Sequence, residues 1–343
     1  MNIREVFNEN LRFISRSDLD VGLMERTFES SDIKDTLVVG TVDLPTGRIS
    51  VGDPLAYMGT GKFSPVLKME VTPGTYSVEL AFIKTVFDTV RITAARIRFT
   101  DEKAVRYELA EPTHETAAFH AKDGDASGFP VDAGVMAFMD ESVMKEYGGF
   151  LYKWHNENPD KNHYDDYFAA FFAESYEKLQ SYQRDGGDFI HWTVPGTEHR
   201  FVMNSSGFGD GVYQVFRGID KAGNICELTV PLINTDLMEK ANIEYLEVWD
   251  GIEACIVTNH IAEGGGIAYM CREKSEKGAY NGWVFYGFDE DEEYWGNADN
   301  FCLYSTHNLA DRFPDIIPLL HSPIGTAFFG TKDGKFIPDE RQK

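Results

Sequence analysis

The sequence predicts an α+β protein of two domains, each a mostly antiparallel sheet with a few packed helices. The chain has 343 residues, whereas a domain typically has about 100–200. Short segments rich in β-branched and aromatic residues alternate with Gly, Pro and Asp turn signals, and two central stretches have helical spacing. A polar break near 234–243, either a boundary or a short helical linker, separates two such patterns. We therefore expect domains at 1–240 and 245–343.

The first domain opens with a helix and a lead-in segment over 1–35, where apolar positions are set among mixed charges. Turn signals then favour an antiparallel meander of five strands, at 37–42, 66–71, 76–83, 91–99 and 105–109. Aromatic residues three and four apart predict helices over 140–154 and 164–182. We expect four further strands, at 189–194, 200–204, 212–218 and 225–232.

The second domain has its own pattern of strands, and no internal repeat relates it to the first. One helix is predicted over 311–320. A closing hairpin turns around Lys332-Asp333-Gly334. The predicted strands are 255–258, 266–271, 283–288, 301–304, 326–329 and 335–337.

The charge balance limits the expected partners. The chain carries 32 Lys and Arg against 56 Asp and Glu, a net charge of −24 at pH 7 with His neutral. This charge repels phosphate backbones and anionic membrane surfaces, and no basic cluster offsets it. We therefore expect no nucleic acid and no membrane as a partner. The same negative field favours a basic protein as a partner. An ordinary acidic cytosolic protein, however, has the same charge balance.

Hydropathy and cysteine usage predict a cytoplasmic protein without a cofactor. No apolar run approaches the roughly 18–20 residues that span a bilayer, and the first residues lack an apolar signal core. The cysteines are too few and too scattered for a disulfide framework, and no Cys-x-x-Cys pair suggests zinc. We expect buried thiols at Cys226, Cys255, Cys271 and Cys302.

Two loops of the first domain match ligand-binding loops only in part. Residues 123–128 begin like a calcium loop, but Gly134 stands where that loop needs a Glu. The glycine-dense segment 206–213 leads into a strand, whereas a phosphate-binding loop needs a helix N-terminus. We expect a polar turn at the first and a tight turn with positive-φ glycines at the second.

A ligand or metal site in the first domain is the alternative function that the residues leave open. If the fold gathers several turn carboxylates with a histidine, they could hold a divalent metal or activate water, as in a hydrolase-like enzyme or a small-ligand-binding module. Isolated Asp residues at turns otherwise cap backbone N–H groups. No nucleophile elbow or zinc-protease motif is present, so no catalytic residue is assigned. The candidates are Asp53, Asp132, Asp210, His191, His199 and Arg217.

The segment 289–295 is the strongest candidate for a partner-binding surface. Five adjacent carboxylates repel one another there, and two aromatic residues of the kind that anchor interfaces follow at once. A solvated loop is the alternative. Residues 244–343 hold 18 acids and 8 bases, a net charge of −10, so the second domain is the more acidic per residue. The segment comprises Asp289, Glu290, Asp291, Glu292, Glu293, Tyr294 and Trp295.

Over about residues 35–235 the chain resembles a bacterial domain family of unknown function. That family implies no activity and no catalytic residues that could be transferred. The motifs that carry the resemblance are Gly47-Arg-Ile, Asp53-Pro-Leu, Pro73-Gly-x-Tyr76-x-Val, Arg91 with Ala95-Arg-Ile-x-Phe99, Val131-Asp-Ala-Gly134, Phe138-x-Asp140 and Ser206-Gly-x-Gly-Asp-Gly-x-Tyr213.

Over about residues 250–338 the chain resembles the immunity protein 33 group. The resemblance implies a protein that protects bacteria by binding a secreted toxin, without turnover. If the toxin is a nuclease its active face is basic, so an acidic partner gains on-rate and complementarity. We expect the acidic segment to bind such a toxin, with Arg272 and Trp283 supporting that surface or lying in the core beside it. The motifs are Tyr269-Met-x-Arg272-Glu-Lys, Gly282-Trp-x-Phe285, Glu290 to Tyr294 and Pro323-x-Gly325.

Overall fold

The computed structural model describes residues 3–60, 63–85, 90–113, 128–249, 254–275 and 280–342. The chain divides into two compact units, Met1–Asn242 and Ile243–Lys343. Both units combine mostly antiparallel sheets with a few helices, as the sequence predicts. No helix in these ranges is long and apolar enough to cross a membrane.

The first unit is built on two main sheets, and the chain passes between them several times. Their bounds are β1 (Lys34–Leu44), β2 (Arg48–Gly52), β3 (Val66–Glu70), β4 (Gly74–Lys84), β5 (Val90–Arg98), β6 (Arg106–Leu109), β7 (Phe129–Val131), β8 (Val135–Asp140), β9 (Phe189–Thr193), β10 (Arg200–Ser205), β11 (Gly211–Tyr213), β12 (Phe216–Ile219) and β13 (Ile225–Pro231). One sheet has the order β1-β4-β5-β13-β12-β6 and the other β3-β2-β8-β10-β9, while β7 and β11 form a separate pair.

The predicted meander of the first strands is wrong. Leu37 of β1 pairs with Leu80 of β4, whereas β3 pairs with β2 in the second sheet. Strand β2 was not predicted, because four of its five residues are buried and the strand therefore lacks the alternation that marks a half-exposed strand. The predicted strand at 212–218 is two strands, β11 and β12, each paired to a different neighbour.

Helices occupy the expected parts of the first unit, with a few differences at their ends. Asp140 caps α3, where its Oδ1 accepts a hydrogen bond of 2.8 Å from the backbone N–H of Ser142. The stretch 164–182 is divided into a π-helix, α4 and a 3₁₀ turn. The bounds are α1 (Ile3–Ile14), α2 (Val21–Thr27), α3 (Glu141–Glu157), the π-helix Tyr164–Phe168, α4 (Ala169–Lys178), the 3₁₀ turn Gln180–Tyr182 and α5 (Thr235–Trp249). Helix α5 spans the polar break, and the division between the two compact units, after Asn242, also falls within it.

The second unit is one six-stranded sheet in the order β17-β14-β16-β15-β18-β19. Its pairings are antiparallel except for β14 with β16, which are parallel. The strands are β14 (Ala254–Thr258), β15 (Ile267–Arg272), β16 (Trp283–Gly287), β17 (Phe301–Ser305), β18 (Ala327–Gly330) and β19 (Phe336–Pro338). The helices are α6 (Asn259–Ala262), α7 (Glu292–Trp295) and α8 (Thr306–Arg312), with 3₁₀ turns Ala298–Asn300, Pro314–Leu319 and Glu340–Gln342.

The helix predicted over 311–320 is wrong in its bounds. Helix α8 begins earlier, where the Ser305 hydroxyl accepts from the N–H of Asn308, and it ends at Arg312. Pro314 has no N–H and disfavours helical geometry at Phe313, so the chain continues as a 3₁₀ turn. Residues of α6, α8 and this turn pack on one face of the sheet around the buried Trp283 and Phe285.

Candidate functional site

The acidic-aromatic segment, Asp289–Trp295, connects β16 to the region of β17 as a capped helical turn. Asp289 has a φ of +63°, which turns the chain sharply after β16. The carboxylate of Asp291 then accepts a hydrogen bond of 2.9 Å from the backbone N–H of Tyr294 and caps α7. The segment is therefore an ordered, capped turn.

Glu290 differs from the other carboxylates of the segment because its side chain is completely buried, with 0% exposure. Its Oε1 accepts from the Thr258 hydroxyl at 2.7 Å and lies 3.3 Å from His260 Nδ1. Its Oε2 accepts from the Gly287 N–H and from the Trp295 indole N–H, each at 2.8 Å. Glu290 therefore holds the segment on the sheet and is not available to a partner, which corrects its predicted role.

The remaining acids of the segment face solvent. Asp289, Asp291, Glu292 and Glu293 are exposed. None of these four forms a salt bridge with any Lys, Arg or His of the described ranges. By contrast, Asp339 near the C-terminus forms a salt bridge of 3.0 Å with Arg341. The segment thus presents a concentrated negative charge that the unit itself does not neutralise.

The two aromatic residues of the segment pack on their neighbours and remain partly accessible. The Tyr294 ring stacks on the His260 ring, with centroids 4.6 Å apart and planes at 16°. Partial desolvation and the nearby carboxylates of Glu290 and Glu263 raise the pKa of Tyr294. Trp295 keeps 36% exposure. No sequence pattern points to His260, because its role depends on a contact between residues 34 positions apart.

Arg272 is half-buried and bonded to backbone carbonyl groups of its own unit, not presented on the predicted partner surface. Its guanidinium donates to the backbone carbonyl oxygens of Ser322 at 2.7 Å and Leu320 at 3.3 Å. The indole N–H of the buried Trp283 donates to the same Leu320 oxygen at 2.8 Å. Both side chains therefore fasten the turn before β18 to the sheet, which is the core role that the sequence left open for them.

In the first unit, Asp53 is a buried turn residue whose carboxylate accepts four backbone hydrogen bonds. Its Oδ1 accepts from the N–H groups of Leu55 and Ala56 at 2.9 and 3.0 Å. Its Oδ2 accepts from those of Asp132 and Ala133 at 3.0 and 2.7 Å. Burial raises the pKa of Asp53, although the four N–H donors oppose that shift. The carboxylate thus joins two turns, the role typical of an Asp at a turn.

The other two aspartates of the predicted ligand site lie near Asp53, around the hydroxyl of Tyr57. This hydroxyl donates a hydrogen bond to Asp132. That bond, together with the charges of Asp132, Asp53 and Asp210, raises the pKa of Tyr57 to about 12. The fold therefore brings Asp53 and Asp132 together and places Asp210 close enough for its charge to act on Tyr57, although Asp53 is already saturated with backbone donors.

The histidines and the arginine of the predicted ligand site have partners on other elements. His199 Nδ1 lies 2.7 Å from Glu146 of α3, and His191 bonds the backbone N–H of Thr41 at 3.3 Å. Arg217 donates to Glu108 at 2.8 Å. Among the residues that the structure describes, no three His, Cys, Asp or Glu side chains are placed to hold a metal ion. The metal-site and hydrolase alternative therefore receives no support.

The two loops that partly match ligand-binding loops have different outcomes. The calcium-like loop lies outside the described residues, apart from Gly128. The glycine-dense segment is a tight turn, with φ of +68° at Gly207 and +111° at Gly209. The Tyr213 hydroxyl fastens this turn by a hydrogen bond of 2.7 Å to the Gly209 carbonyl oxygen. The expected tight turn is thus observed.

The four cysteines are free thiols, two buried and two partly buried. Cys226 and Cys255 are fully buried, as expected. Cys271 and Cys302 keep intermediate exposure, so the expectation of buried thiols holds only in part. Burial raises the pKa of Cys271 to about 11, which keeps the thiol protonated at neutral pH.

A cavity of about 610 Å³ lies in the first unit beside α2. Within it the Arg96 guanidinium pairs with Glu79 at 2.6 Å and stacks 3.7 Å from the centre of the Phe28 ring. Glu227 lies on the other side of Arg96, at 3.6 Å, and accepts from the Tyr107 hydroxyl. These charged groups satisfy one another, so the geometry gives no sign of a particular ligand.

Both units match known protein families. Residues 42–230, more than half of the chain, match the family described as "Protein of unknown function (DUF4241)". The chain belongs to this family. Residues 255–340 match the "Immunity protein Imm33 domain". The two matches confirm both resemblances stated from the motifs. No curated protein and no solved structure matches the chain.

Proposed function

We propose that this member of the DUF4241 family is an immunity protein that binds and neutralises a protein toxin through its second unit. The match of residues 255–340 to the Imm33 immunity domain carries this proposal. The exposed carboxylates of the acidic-aromatic segment support it. Neutralisation proceeds by occupation of the toxin's active face, so the protein needs no catalytic residue and no cofactor.

The charge of the segment indicates the kind of toxin. Four exposed carboxylates, none of them in a salt bridge within the described part of the chain, project from a single capped turn. Residues 244–343 around them carry a net charge of −10. Such a field accelerates encounter with a positively charged surface and penalises contact with an acidic one. A basic nuclease has an active face of the required sign, because that face must bind a phosphate backbone. We propose that the protein acts on such a toxin in the cytoplasm.

A co-expression experiment with a matched control tests this proposal. Candidate basic toxin domains are expressed one at a time in a bacterial host, with and without the full chain, and growth is followed. The test variant changes Asp291→Asn, Glu292→Gln and Glu293→Gln, and leaves Glu290 intact because it holds the segment. The control variant changes Asp315→Asn, Asp333→Asn and Glu340→Gln, which removes the same charge from exposed positions outside the segment.

We expect the wild-type chain and the control to restore growth against one such toxin, and the test variant not to do so. In a binding measurement with the purified proteins, the test variant should bind that toxin at least tenfold more weakly than the wild-type chain. The loss should be larger at 0.1 M than at about 0.5 M NaCl, because salt screens exposed charges. If no toxin is neutralised by the wild-type chain, the proposed function is wrong. If the two variants behave alike, the acidic-aromatic segment has no special role.

A further inference from the structure

In the described part of the second unit, α6, α8 and the 3₁₀ turn Pro314–Leu319 cover one face of the sheet, whereas α7 reaches the opposite face, where Trp295 packs on Tyr286. Strand alternation assigns each side chain to a face. Cys255, Trp283 and Phe328 point to the face covered by α6, α8 and the 3₁₀ turn. Their neighbours along the strands point to the opposite face, which we call the outer face. It includes the apolar residues Ile256, Tyr269, Cys271, Val284, Tyr286, Phe301, Leu303, Phe329 and Ile337, and by the same alternation the polar Thr258 and Ser305.

The outer face is largely apolar, and its most exposed side chains lie toward the two edges of the sheet. Leu303 is 62% exposed, Ile337 56% and Phe329 38%. An antiparallel sheet with one solvated face normally presents polar residues on that face, since apolar residues there gain nothing from folding. A contiguous apolar surface on a folded unit marks an interaction site more often than an accident of sequence.

An aromatic row crosses the outer face and ends in the acidic-aromatic segment. The ring centroids of Phe329 and Tyr269 are 5.1 Å apart, and those of Tyr269 and Tyr286 are 5.9 Å apart. The row continues from Tyr286 to Trp295, whose ring centroids are 5.0 Å apart. Three strands and α7 therefore contribute one continuous aromatic surface whose Trp295 end lies among the exposed carboxylates.

We propose that the outer face is the docking site for a basic protein, with the aromatic row at the centre of the contact and the segment's carboxylates at its rim. This proposal rests on the proposed function and takes the toxin as the occupant. Charge complementarity favours that occupant over a second copy of the chain, because two copies each carry a net charge of −24. Interfaces bury aromatic residues centrally and keep charged groups at the edge, as this surface does.

Polar substitutions at the most exposed positions of the outer face test the proposal. The double variant Leu303→Ser and Ile337→Thr removes apolar surface from side chains that contribute little to the core. The control is the double variant Ile324→Ser and Val38→Ser, at positions 63% and 56% exposed outside the outer face. Binding to a purified toxin domain that the wild-type chain neutralises is measured by calorimetry at 0.1 and 0.5 M NaCl. Sedimentation of each variant alone reports self-association.

We expect the outer-face variant to bind at least tenfold more weakly at both salt concentrations, because apolar contacts are not screened. The control variant should bind like the wild-type chain. Equal affinity of the outer-face variant and the control overturns the docking proposal while leaving the proposed function intact. A wild-type dimer that this variant converts to a monomer also overturns it, since a second copy is then the occupant. A wild-type chain that binds no toxin overturns both proposals.

Discussion

Replacement of Glu290 by Ala removes the carboxylate that fastens the acidic-aromatic segment to the sheet. Three donors then lose their partner: the Thr258 hydroxyl, the Gly287 N–H and the Trp295 indole N–H, all within 2.8 Å in the wild-type chain. A hydrogen bond to a charged group contributes about 1.5–3 kcal/mol to stability. The variant also avoids the cost of burying a charge, and water can reach the exposed Trp295.

These opposing contributions leave a net loss of about 3 kcal/mol in the free energy of unfolding. For a cooperative unit of about 100 residues, this corresponds to a decrease in melting temperature of roughly 12–24 °C. Glu290→Gln should lower the free energy of unfolding by only about 1 kcal/mol. The Gln amide oxygen still accepts from the Gly287 and Trp295 donors, while its NH₂ group faces the Thr258 hydroxyl.

Differential scanning calorimetry of the full chain measures these effects, and hydrogen exchange of the β16 amides assigns them to the second unit. The exposed neighbours provide controls, since Glu292→Ala and Glu293→Ala should change stability by no more than about 0.5 kcal/mol. The reasoning is refuted if Glu290→Ala is as stable as these controls, or if its loss of stability appears in the first unit.

Two further predictions concern stability. Tyr57 has a pKa raised to about 12, above the ordinary value of 10.0; its stabilising bond to Asp132 is therefore fully present below about pH 10 and lost as the pH rises through about 12. The difference in free energy of unfolding between the wild-type chain and Tyr57→Phe should vanish across that pH range. Asp132→Asn should lower the midpoint of the pH titration of Tyr57, followed by its ¹³C-tyrosine signal. An unchanged midpoint contradicts this reasoning. Arg272→Ala should destabilise the second unit by about 2 kcal/mol, whereas the exposed Lys274→Ala should not; equal melting curves for the two variants would show that the carbonyl contacts of Arg272 contribute nothing.

Local patterns in the sequence were sufficient for most strands and for the separation into two units. Segments such as 76–83 and 225–232 alternate or carry β-branched residues between clear turn signals, and each corresponds to an observed strand, β4 and β13. Strand pairing was not predictable in the same way. The partner of β1 is β4 and not β3, because pairing depends on which sheet each strand joins after the chain crosses between the layers.

The candidate site likewise combines features that are visible in the sequence with features that only the fold shows. The run of five carboxylates is visible in the sequence, but only the fold distinguishes Glu290, whose donors come from Thr258, Gly287 and Trp295, from its exposed neighbours. Similarly, the aspartates at three separate turns could be identified from the sequence. Tyr57, whose pKa all three of them raise, could not be identified in this way.

The sequence by itself determined the class of the fold, the two-part organisation, the negative charge and the resemblance to an immunity domain, since these depend on composition, local periodicity and motifs. Only the tertiary structure decided which carboxylates are exposed, that Arg272 binds backbone carbonyl groups of its own unit, and that apolar residues of several strands form one outer face. The physical reason is that burial and hydrogen bonding depend on neighbours in space. Tyr269, Tyr286 and Phe329 adjoin one another only because strand register places them side by side.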